Sequence, residues 1–209
     1  MRAVVALLCL VSISCQTRHP ARRTEIDWLQ QGQLAPPPLT PVTAMPRPFV
    51  LGPVNPVSFM MLADYLDNAG KANAAAVTIH INSPGGSVIS ALAIMQAIEN
   101  AGRPVHCIVD GMAASAAFVI LQACTTRVGS KRSLLMIHEA SVSGEIGGGV
   151  NEFINVIEFL RVINATMVTH CAARMGLSEA AFAEKISGGK EYWLTAKEAL
   201  TAHALDSIK

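Results

Sequence analysis

The feature that most constrains this chain is an alternation of apolar, strand-like runs with segments of helical periodicity, which begins at Phe49. Buried runs such as "AAVTIHINS" and "PVHCIVDG" alternate with segments such as "SVISALAIMQAIENAG", whose apolar residues follow a helical spacing. A glycine closes each of the first two helical segments, at Gly70 and Gly102. Strands that alternate with helices form a mainly parallel sheet covered by helices. The pattern therefore predicts one α/β domain over residues 49–209.

Two segments of different character precede this domain. Residues 1–15, "MRAVVALLCLVSISC", combine one arginine, a short apolar run and small residues, as a secretory signal does, and the run is too short to span a membrane. "VSISC" is similar to a lipoprotein cleavage box with Cys15 as the lipid-bearing terminus, although Ser12 stands where Leu, Val or Ile is usual. Residues 16–48 hold seven of the eleven prolines, which predicts an extended linker. We expect export to the periplasm or cell envelope, with membrane contact only through Cys15; a cytoplasmic protein is the alternative.

Charge and cysteine spacing exclude several kinds of partner and site. Sixteen Lys and Arg against fifteen Asp and Glu give a net charge of +1 with no basic run, so no nucleic acid partner is expected. The sequence has no CxxC pair or Cys/His cluster at metal spacing, so no metal site is predicted. Cys107 and Cys124 could pair in an exported protein, but free buried thiols are the favoured interpretation because cysteine is usually buried.

Two strand-to-helix turns contain residues suited to acyl-transfer chemistry. In "INSPGGSV", Gly85 and Gly86 permit a positive φ and a close backbone approach, so their amides could bind an oxyanion; a plain tight turn is the alternative. In "GMAASAAF", Ser115 stands between a strand and a helix, where free amides favour a developing negative charge. The glycines of a G-x-S-x-G elbow are absent, and a helix N-cap is the alternative role for Ser115.

A reactive serine needs a neighbouring base, and His138 is the favoured candidate. It ends the apolar strand "LLMIH", at the edge where a parallel sheet presents side chains to ligands. The competing histidines are His80, His106, His170 and His203.

From Phe49 onward the chain resembles the proteolytic subunit of the Clp protease, within the Clp and crotonase fold group. The resemblance rests on five blocks in order: "INSPGGSV", "GMAASAAF", "LLMIHEA", "SGEIGGGVNEF" and "WLTAKEALTAHALDSI". It implies a β-α-β superhelix with a protruding handle helix. It also implies a serine endopeptidase that works through an acyl-enzyme without a metal or organic cofactor.

The resemblance assigns roles to particular residues. Ser115 matches the nucleophile and His138 the general base, and the backbone amides of Gly86 and Ala116 match the oxyanion hole. The extended substrate would lie as an added strand beside the glycine-rich passage from residue 143 to 149, with Gly85, Gly147 and Gly148 as binding residues.

The acid of the triad is where the chain departs from the family pattern. The family's aspartate stands two residues before an aromatic residue, and matching that aromatic with Trp193 places Glu191 at the acid position. Asp206 and Asp110 are fallback candidates. A catalytically weak ring that binds peptides is therefore an alternative function, and an acyl-CoA enzyme of the crotonase type is a third.

The segment from Val150 to Met175 is expected to be one long helix with a wide apolar arc. The resemblance implies that this helix is the handle through which heptameric rings stack, so a homo-oligomer is expected; burial in the helix's own domain is the alternative. The implied substrates are peptides or unfolded proteins. If the protein is exported, we expect it to act without ATP, because a cytosolic unfoldase would be absent.

Overall fold

The computed structural model of the chain describes residues 47–142 and 147–209. The predicted signal 1–15 and the linker as far as residue 46 lie outside the described residues, as does the stretch 143–146 of the glycine-rich passage. In chain order the elements are β1 (Phe49–Leu51), α1 (Pro56–Lys71), β2 (Val77–Ser83), α2 (Val88–Glu99), β3 (Val105–Ala114), α3 (Ala116–Ala123), β4 (Thr126–Gly129), β5 (Leu134–Ile137), α4 (Val150–Met175), α5 (Glu179–Ile186), β6 (Tyr192–Thr195), α6 (Ala196–Thr201) and β7 (Ser207–Ile208).

Across the described residues the strands form one seven-stranded sheet in which β1, β2, β3, β4 and β7 are neighbours in that order and run parallel. The ten-residue strand β3 branches the sheet, because its first half pairs with β4 and its last three residues pair with β5. β5 in turn pairs with β6, which is antiparallel. The predicted α/β fold with a mainly parallel sheet and covering helices is confirmed.

The core lies on one face of the sheet. Along β2, Val77, Ile79 and Ile81 are buried, whereas the alternate residue Asn82 is exposed. This period-2 pattern shows that only one face is fully covered. The short helix α3 is buried along almost its whole length, with Phe118 fully enclosed, so the chain leaving β3 is held inside the core.

Helix ends follow local capping chemistry, with one departure from expectation. The Asn55 side chain accepts a hydrogen bond from the Ser58 N–H at the start of α1. Ser87 does the same for α2 by accepting from the Ser90 N–H. The prediction that Gly70 closes α1 was one residue short, because α1 runs on to Lys71 with Gly70 inside it and without a positive φ. Gly102 has a φ of +65° and follows the end of α2, as expected.

Cys107 and Cys124 are joined by a disulfide, so the preference for free buried thiols was wrong. Cys107 lies on β3 and Cys124 follows α3, and the two Cα atoms are 5.9 Å apart, within the range that a disulfide spans. Both residues are buried. The bond therefore links the strand and the helix on either side of Ser115.

The two halves of α4 differ in burial, and the alternative of burial in the helix's own domain holds for one of them. Its C-terminal half packs in the core through Ile163, Met167, Cys171, Ala172 and Met175. The N-terminal half exposes large apolar side chains between 44% and 76%: Val150, Phe153, Ile154, Ile157, Phe159 and Val162. By length and composition alone α4 could cross a membrane, but the buried C-terminal half identifies it as a helix of this domain.

Candidate active site

Ser115 occupies the junction between β3 and α3 in an unusual backbone conformation. Its φ is +54° and its ψ is −122°, a region that residues with a side chain rarely adopt. The Ser115 N–H donates to the Met136 carbonyl on β5 at 2.7 Å, which holds the turn against the neighbouring strand. The Ser115 side chain makes no capping hydrogen bond, so the N-cap role does not account for this serine. Backbone strain of this kind, at a serine with an uncommitted hydroxyl, is typical of a functional site.

The two-glycine turn packs directly against Ser115. Gly85 has a φ of +95°, and a Cβ atom built on it would lie 2.6 Å from the Ala114 carbonyl oxygen and 2.9 Å from the Ala116 nitrogen. Gly86 has a φ of +142°, and a Cβ there would collide with the Val54 carbonyl oxygen. The turn therefore requires glycine at both positions for steric reasons as well as for its backbone angles.

Two backbone N–H groups beside Ser115 lack an acceptor. Val54 brackets Gly86, since its N–H donates to the Gly85 carbonyl and its carbonyl accepts from the Ser87 N–H, both at 2.8 Å. Among the described residues, neither the Gly86 N–H nor the Ala116 N–H at the start of α3 donates a hydrogen bond. Free donors at a helix start next to a serine are suited to binding a developing oxyanion.

His138 directly follows β5, the parallel neighbour of the strand that leads into Ser115. The pairing of β3 with β5 places Ala114 opposite Met136, so Ser115 and His138 leave adjacent strands at the same sheet edge. His138 is half-buried. Within the described residues no hydrogen bond joins it to Ser115 or to a carboxylate, and in substrate-free enzymes such contacts are often long.

Glu191 is brought opposite His138 by the register of the antiparallel pair of β5 and β6. Ile137 pairs with Tyr192, and the next step in the same register sets His138 across from Glu191. The Glu191 side chain is exposed, and its Oε2 accepts a hydrogen bond from Trp193 Nε1 at 2.8 Å. The register thus brings the candidate acid and the candidate base to the same end of the ribbon, while the carboxylate contacts Trp193.

Asp206, the first fallback acid, is engaged elsewhere. Its carboxylate accepts hydrogen bonds from the Arg127 guanidinium and backbone N–H, and Arg174 lies 4.0 Å away. Burial alone raises the pKa of Asp206, but the hydrogen bonds from Arg127 and the charges of both arginines outweigh it and hold the pKa below its ordinary value. This carboxylate therefore anchors the C-terminal segment.

The second fallback acid and two competing histidines also have other partners. Asp110 Oδ2 lies 2.7 Å from His80 Nδ1, and the pair lies on the open face of the sheet. His106 Nδ1 lies 2.7 Å from the Thr126 hydroxyl. His170 is partly buried on α4, and His203 is exposed after α6. Of the five histidines weighed above, His138 is the one that leaves the strand next to Ser115.

A groove runs from the two-glycine turn toward α4. It is lined by residues 86–89, which cover the end of that turn and the start of α2, by residues 140–142 beyond His138, and by Phe159, Leu160 and Ile163 of α4. Its walls are largely apolar. Gly147 and Gly148, predicted to bind substrate, are exposed before α4, where Gly148 has a φ of +126° and packs against Glu152. The described structure shows no contact between these two glycines and Ser115.

Sequence reasoning missed two contributors. Val54 contributes through its backbone N–H and carbonyl, which hydrogen-bond on either side of Gly86. Any residue has these main-chain atoms, so the sequence gives no signal for this contribution. Trp193 served only to align the last block, yet its indole contacts Glu191. The signal available in the sequence was the spacing of Glu191 and Trp193, because residues two apart in an extended segment have their side chains on the same face.

Several known proteins are similar to this chain in sequence or in structure. A family model described as Clp protease matches residues 60–208. The chain belongs to the Clp protease family. The ATP-dependent Clp protease proteolytic subunit 1 of Protochlamydia amoebophila is 36% identical over 132 residues, 61% of this chain and 62% of the relative. The corresponding subunit of Porphyromonas gingivalis is 36% identical over 146 residues, 69% of this chain and 63% of the relative.

The matched stretch thus spans a little under two thirds of the length of these relatives. Among solved structures, a point mutant of the ClpP1 protein from Listeria monocytogenes superposes with a TM-score of 0.69. The superposition covers 78% of this chain and 91% of that one at 21% sequence identity, which supports the fold.

Proposed function

We propose that this chain is a serine endopeptidase of the Clp proteolytic-subunit type. The observation that carries the proposal is the turn at Ser115, where an uncapped serine in a strained conformation lies against a glycine turn with free N–H groups. A purely structural serine would not need this arrangement, since an N-cap satisfies donors whereas here they remain free.

In the proposed mechanism the Ser115 Oγ attacks the carbonyl carbon of the scissile peptide bond and its proton passes to His138. The carbonyl oxygen, now an oxyanion, accepts hydrogen bonds from the Gly86 and Ala116 N–H groups. Collapse of the tetrahedral intermediate breaks the C–N bond, and His138 returns the proton to the leaving amine. A water then attacks the acyl ester with His138 as base, which releases the carboxylic acid and restores Ser115. Glu191 stabilises the imidazolium when its carboxylate faces His138.

The groove beside the oxyanion turn supports a preference for apolar side chains on the acyl side of the scissile bond. Its walls come from the turn at Gly86 and from Phe159 and Ile163 of α4, so a substrate whose carbonyl oxygen is bound by the Gly86 N–H would meet this apolar surface. Unfolded proteins and short peptides present such residues, whereas folded proteins bury them.

The test is labelling of the full chain with a fluorophosphonate probe, read by intact mass. We expect wild type to gain one adduct and Ser115→Ala to gain none, with peptide hydrolysis falling at least about 10³-fold. Ser207→Ala is the matched control, because Ser207 is an exposed serine on β7, and it should label like wild type. Equal labelling of wild type and Ser115→Ala would overturn the proposal.

The exposed half of α4 supports assembly into a ring-forming homo-oligomer, for which a heptamer is the family-based expectation. Phe153, Ile154 and Ile157 are each at least 44% exposed, and apolar surface of this kind marks a protein interface. We expect Ile157→Asp to lower the assembled mass in light scattering, whereas Asn155→Asp on the same exposed half should leave it unchanged. An unchanged mass in Ile157→Asp would assign this face to another role.

Export is supported by the Cys107–Cys124 disulfide together with the signal-like residues 1–15, because disulfides persist in oxidising compartments. We propose a periplasmic or envelope location, lipid attachment at Cys15, and peptide cleavage without an ATP-driven partner. Fractionation of cells that express the full chain should recover it outside the cytoplasm, and Cys15→Ser should abolish a lipid adduct in the mass spectrum. Cytoplasmic recovery with the intact N-terminus would contradict export.

A ring that binds peptides without cleaving them is the second candidate. The observation in its favour is that the Glu191 carboxylate contacts Trp193 and not His138. The same labelling experiment separates the two, because an assembled wild-type chain that binds peptide and gains no adduct would fit only this alternative. Membership of the Clp protease family gives no support to the acyl-CoA alternative.

A further inference from the structure

We propose that Trp193 is a positioning residue whose indole N–H competes with His138 for the Glu191 carboxylate, and so sets the fraction of chains with a complete triad. The inference rests on the proposed function. Trp193 lies outside the proposed set of nucleophile, base, acid and oxyanion donors. Unlike phenylalanine or leucine, its large side chain carries an N–H group that donates a hydrogen bond.

The geometry brings two of the three side chains together at the end of the ribbon of β5 and β6. Glu191 directly precedes β6 and Trp193 is the second residue of that strand, and their side chains meet in a hydrogen bond. In the register of the pair, Trp193 stands opposite Met136, and one further step beyond the last paired residues sets Glu191 across from His138. The Glu191 carboxylate itself contacts the indole. Cβ atoms directly opposite in such a pair lie about 4.5–5.5 Å apart, so a glutamate reaches the facing imidazole by rotating its side chain.

The present contact selects the orientation that faces Trp193. Glu191 Oε2 and Trp193 Nε1 are 2.8 Å apart, a normal length for a hydrogen bond to a charged acceptor. Trp193 is 47% exposed, so neither partner is locked by packing. The Glu191 carboxylate is therefore free to exchange between Trp193 and His138. The relative strength of the two hydrogen bonds decides which fraction of chains has each contact.

Proton transfer to His138 during the reaction favours movement of the Glu191 carboxylate from Trp193 to His138. Before reaction, neutral His138 and neutral Trp193 each offer the carboxylate one N–H donor. When His138 takes the Ser115 proton it becomes an imidazolium, and its attraction for the carboxylate then exceeds that of the indole. Glu191 therefore moves to His138 as charge develops, and part of the stabilisation is lost in breaking the Trp193 contact. Removing the indole N–H removes that loss.

The test is a double-mutant cycle on the full chain with the second-order rate of fluorophosphonate labelling as readout. Trp193→Phe keeps an aromatic ring and deletes the donor, and we expect it to label several-fold faster than wild type. The gain should vanish when Glu191→Gln is also present. Tyr192→Phe is the matched control, because it removes a polar group from the adjacent residue on the opposite face, and it should leave the rate unchanged. A rate in Trp193→Phe equal to or below wild type, or an equal gain in the Glu191→Gln background, would overturn the inference.

A second readout does not depend on activity. With 5-fluorotryptophan incorporated, the ¹⁹F spectrum has signals from Trp28 and Trp193, which Trp193→Phe assigns. We expect Glu191→Ala, which removes the acceptor, to shift the Trp193 signal and Tyr192→Phe to leave it in place, with Trp28 as internal reference. An unshifted Trp193 signal in Glu191→Ala would refute the contact.

The two readouts also separate this inference from the proposed function. If wild type is labelled and Trp193→Phe is labelled faster, the proposed function and the inference both stand. If neither gains an adduct, the proposed function fails and the positioning role fails with it, whatever the ¹⁹F spectrum shows of the contact. If wild type is labelled and Trp193→Phe is not faster, the proposed function stands and this inference alone fails.

Discussion

The two halves of the candidate site are built in different ways. The half around Ser115 consists of main-chain geometry inside the core, where α3 is buried and the two-glycine turn leaves no room for a Cβ atom. The half around His138 and Glu191 consists of side chains at the surface end of the ribbon of β5 and β6. The first half has one conformation that packing permits, whereas the second has a carboxylate with two competing partners. The backbone that carries the proposed oxyanion donors is thus fixed by packing, whereas the contact of the proposed acid is open to adjustment.

The largest expected effect tests the rigid half. Gly86→Ala puts a Cβ atom against the Val54 carbonyl oxygen and strains a φ of +142°, so the Gly86 N–H must move from its position. Because loss of one oxyanion donor costs about 10²–10³-fold in rate, we expect fluorophosphonate labelling to slow by that factor.

Gly52→Ala is the matched control for this experiment, since a Cβ there meets nothing within 4 Å, and it should label at the wild-type rate. Thermal melting of both variants separates a local change from unfolding. A Gly86→Ala protein that melts and labels like wild type would show that the turn is not rigid.

The disulfide tests whether the rigid half is held covalently as well as by packing. Cys107 and Cys124 are 17 residues apart, and a loop of this size corresponds to about 3 kcal/mol of stabilisation in the chain-entropy treatment. We expect a Cys107→Ala/Cys124→Ala variant to melt roughly 6–12 °C below oxidised wild type, at about 2–4 °C per kcal/mol for a chain of this size.

Reductant supplies the control for the disulfide prediction. It should lower the melting temperature of wild type when it reaches the buried bond, and it should leave the double alanine variant unchanged. A wild-type chain in which an alkylating agent modifies both Cys107 and Cys124 after purification under air would contradict the pairing.

The smallest expected effect concerns pH and the packing beneath the rigid half, where His170 of α4 has a buried Nε2 atom without a partner among the described residues. Burial lowers the pKa of His170, and the charge of Arg174 acts in the same direction, against the charge of Glu99 and a hydrogen bond with the Gln122 backbone. With a lowered pKa in the folded state, the unfolded chain binds the proton more readily. The free energy of unfolding therefore falls as the pH drops below about 6.5.

We expect the wild-type melting temperature to fall more between pH 7.5 and pH 5.5 than that of His170→Gln, by roughly a few degrees. His203→Gln changes an exposed histidine and should track wild type over the same range. Identical pH profiles for wild type and His170→Gln would show that this histidine does not contribute to the acid limb of stability.

The comparison of the two halves also explains how far sequence reasoning reached. Ser115 and the glycine turn were predicted because strand-to-helix junctions follow from local periodicity, and Gly85 and Gly86 carry their conformation in their identity. The orientation of Glu191 could not be predicted, since it depends on a hydrogen bond between side chains and not on the backbone register. The end of α1 beyond Gly70 was misplaced because a glycine near a helix end is compatible with either outcome.

By itself, the sequence determined the alternation of strands and helices, the mainly parallel α/β fold and the position of Ser115 at a strand-to-helix turn. Local propensity and the spacing of apolar residues carry that information along the chain. Only the tertiary structure decided that Cys107 bonds Cys124, that Val54 brackets Gly86, and that Glu191 contacts Trp193 across from His138. These contacts depend on three-dimensional distances and side-chain orientations, which the sheet and its packing create and which no local pattern specifies.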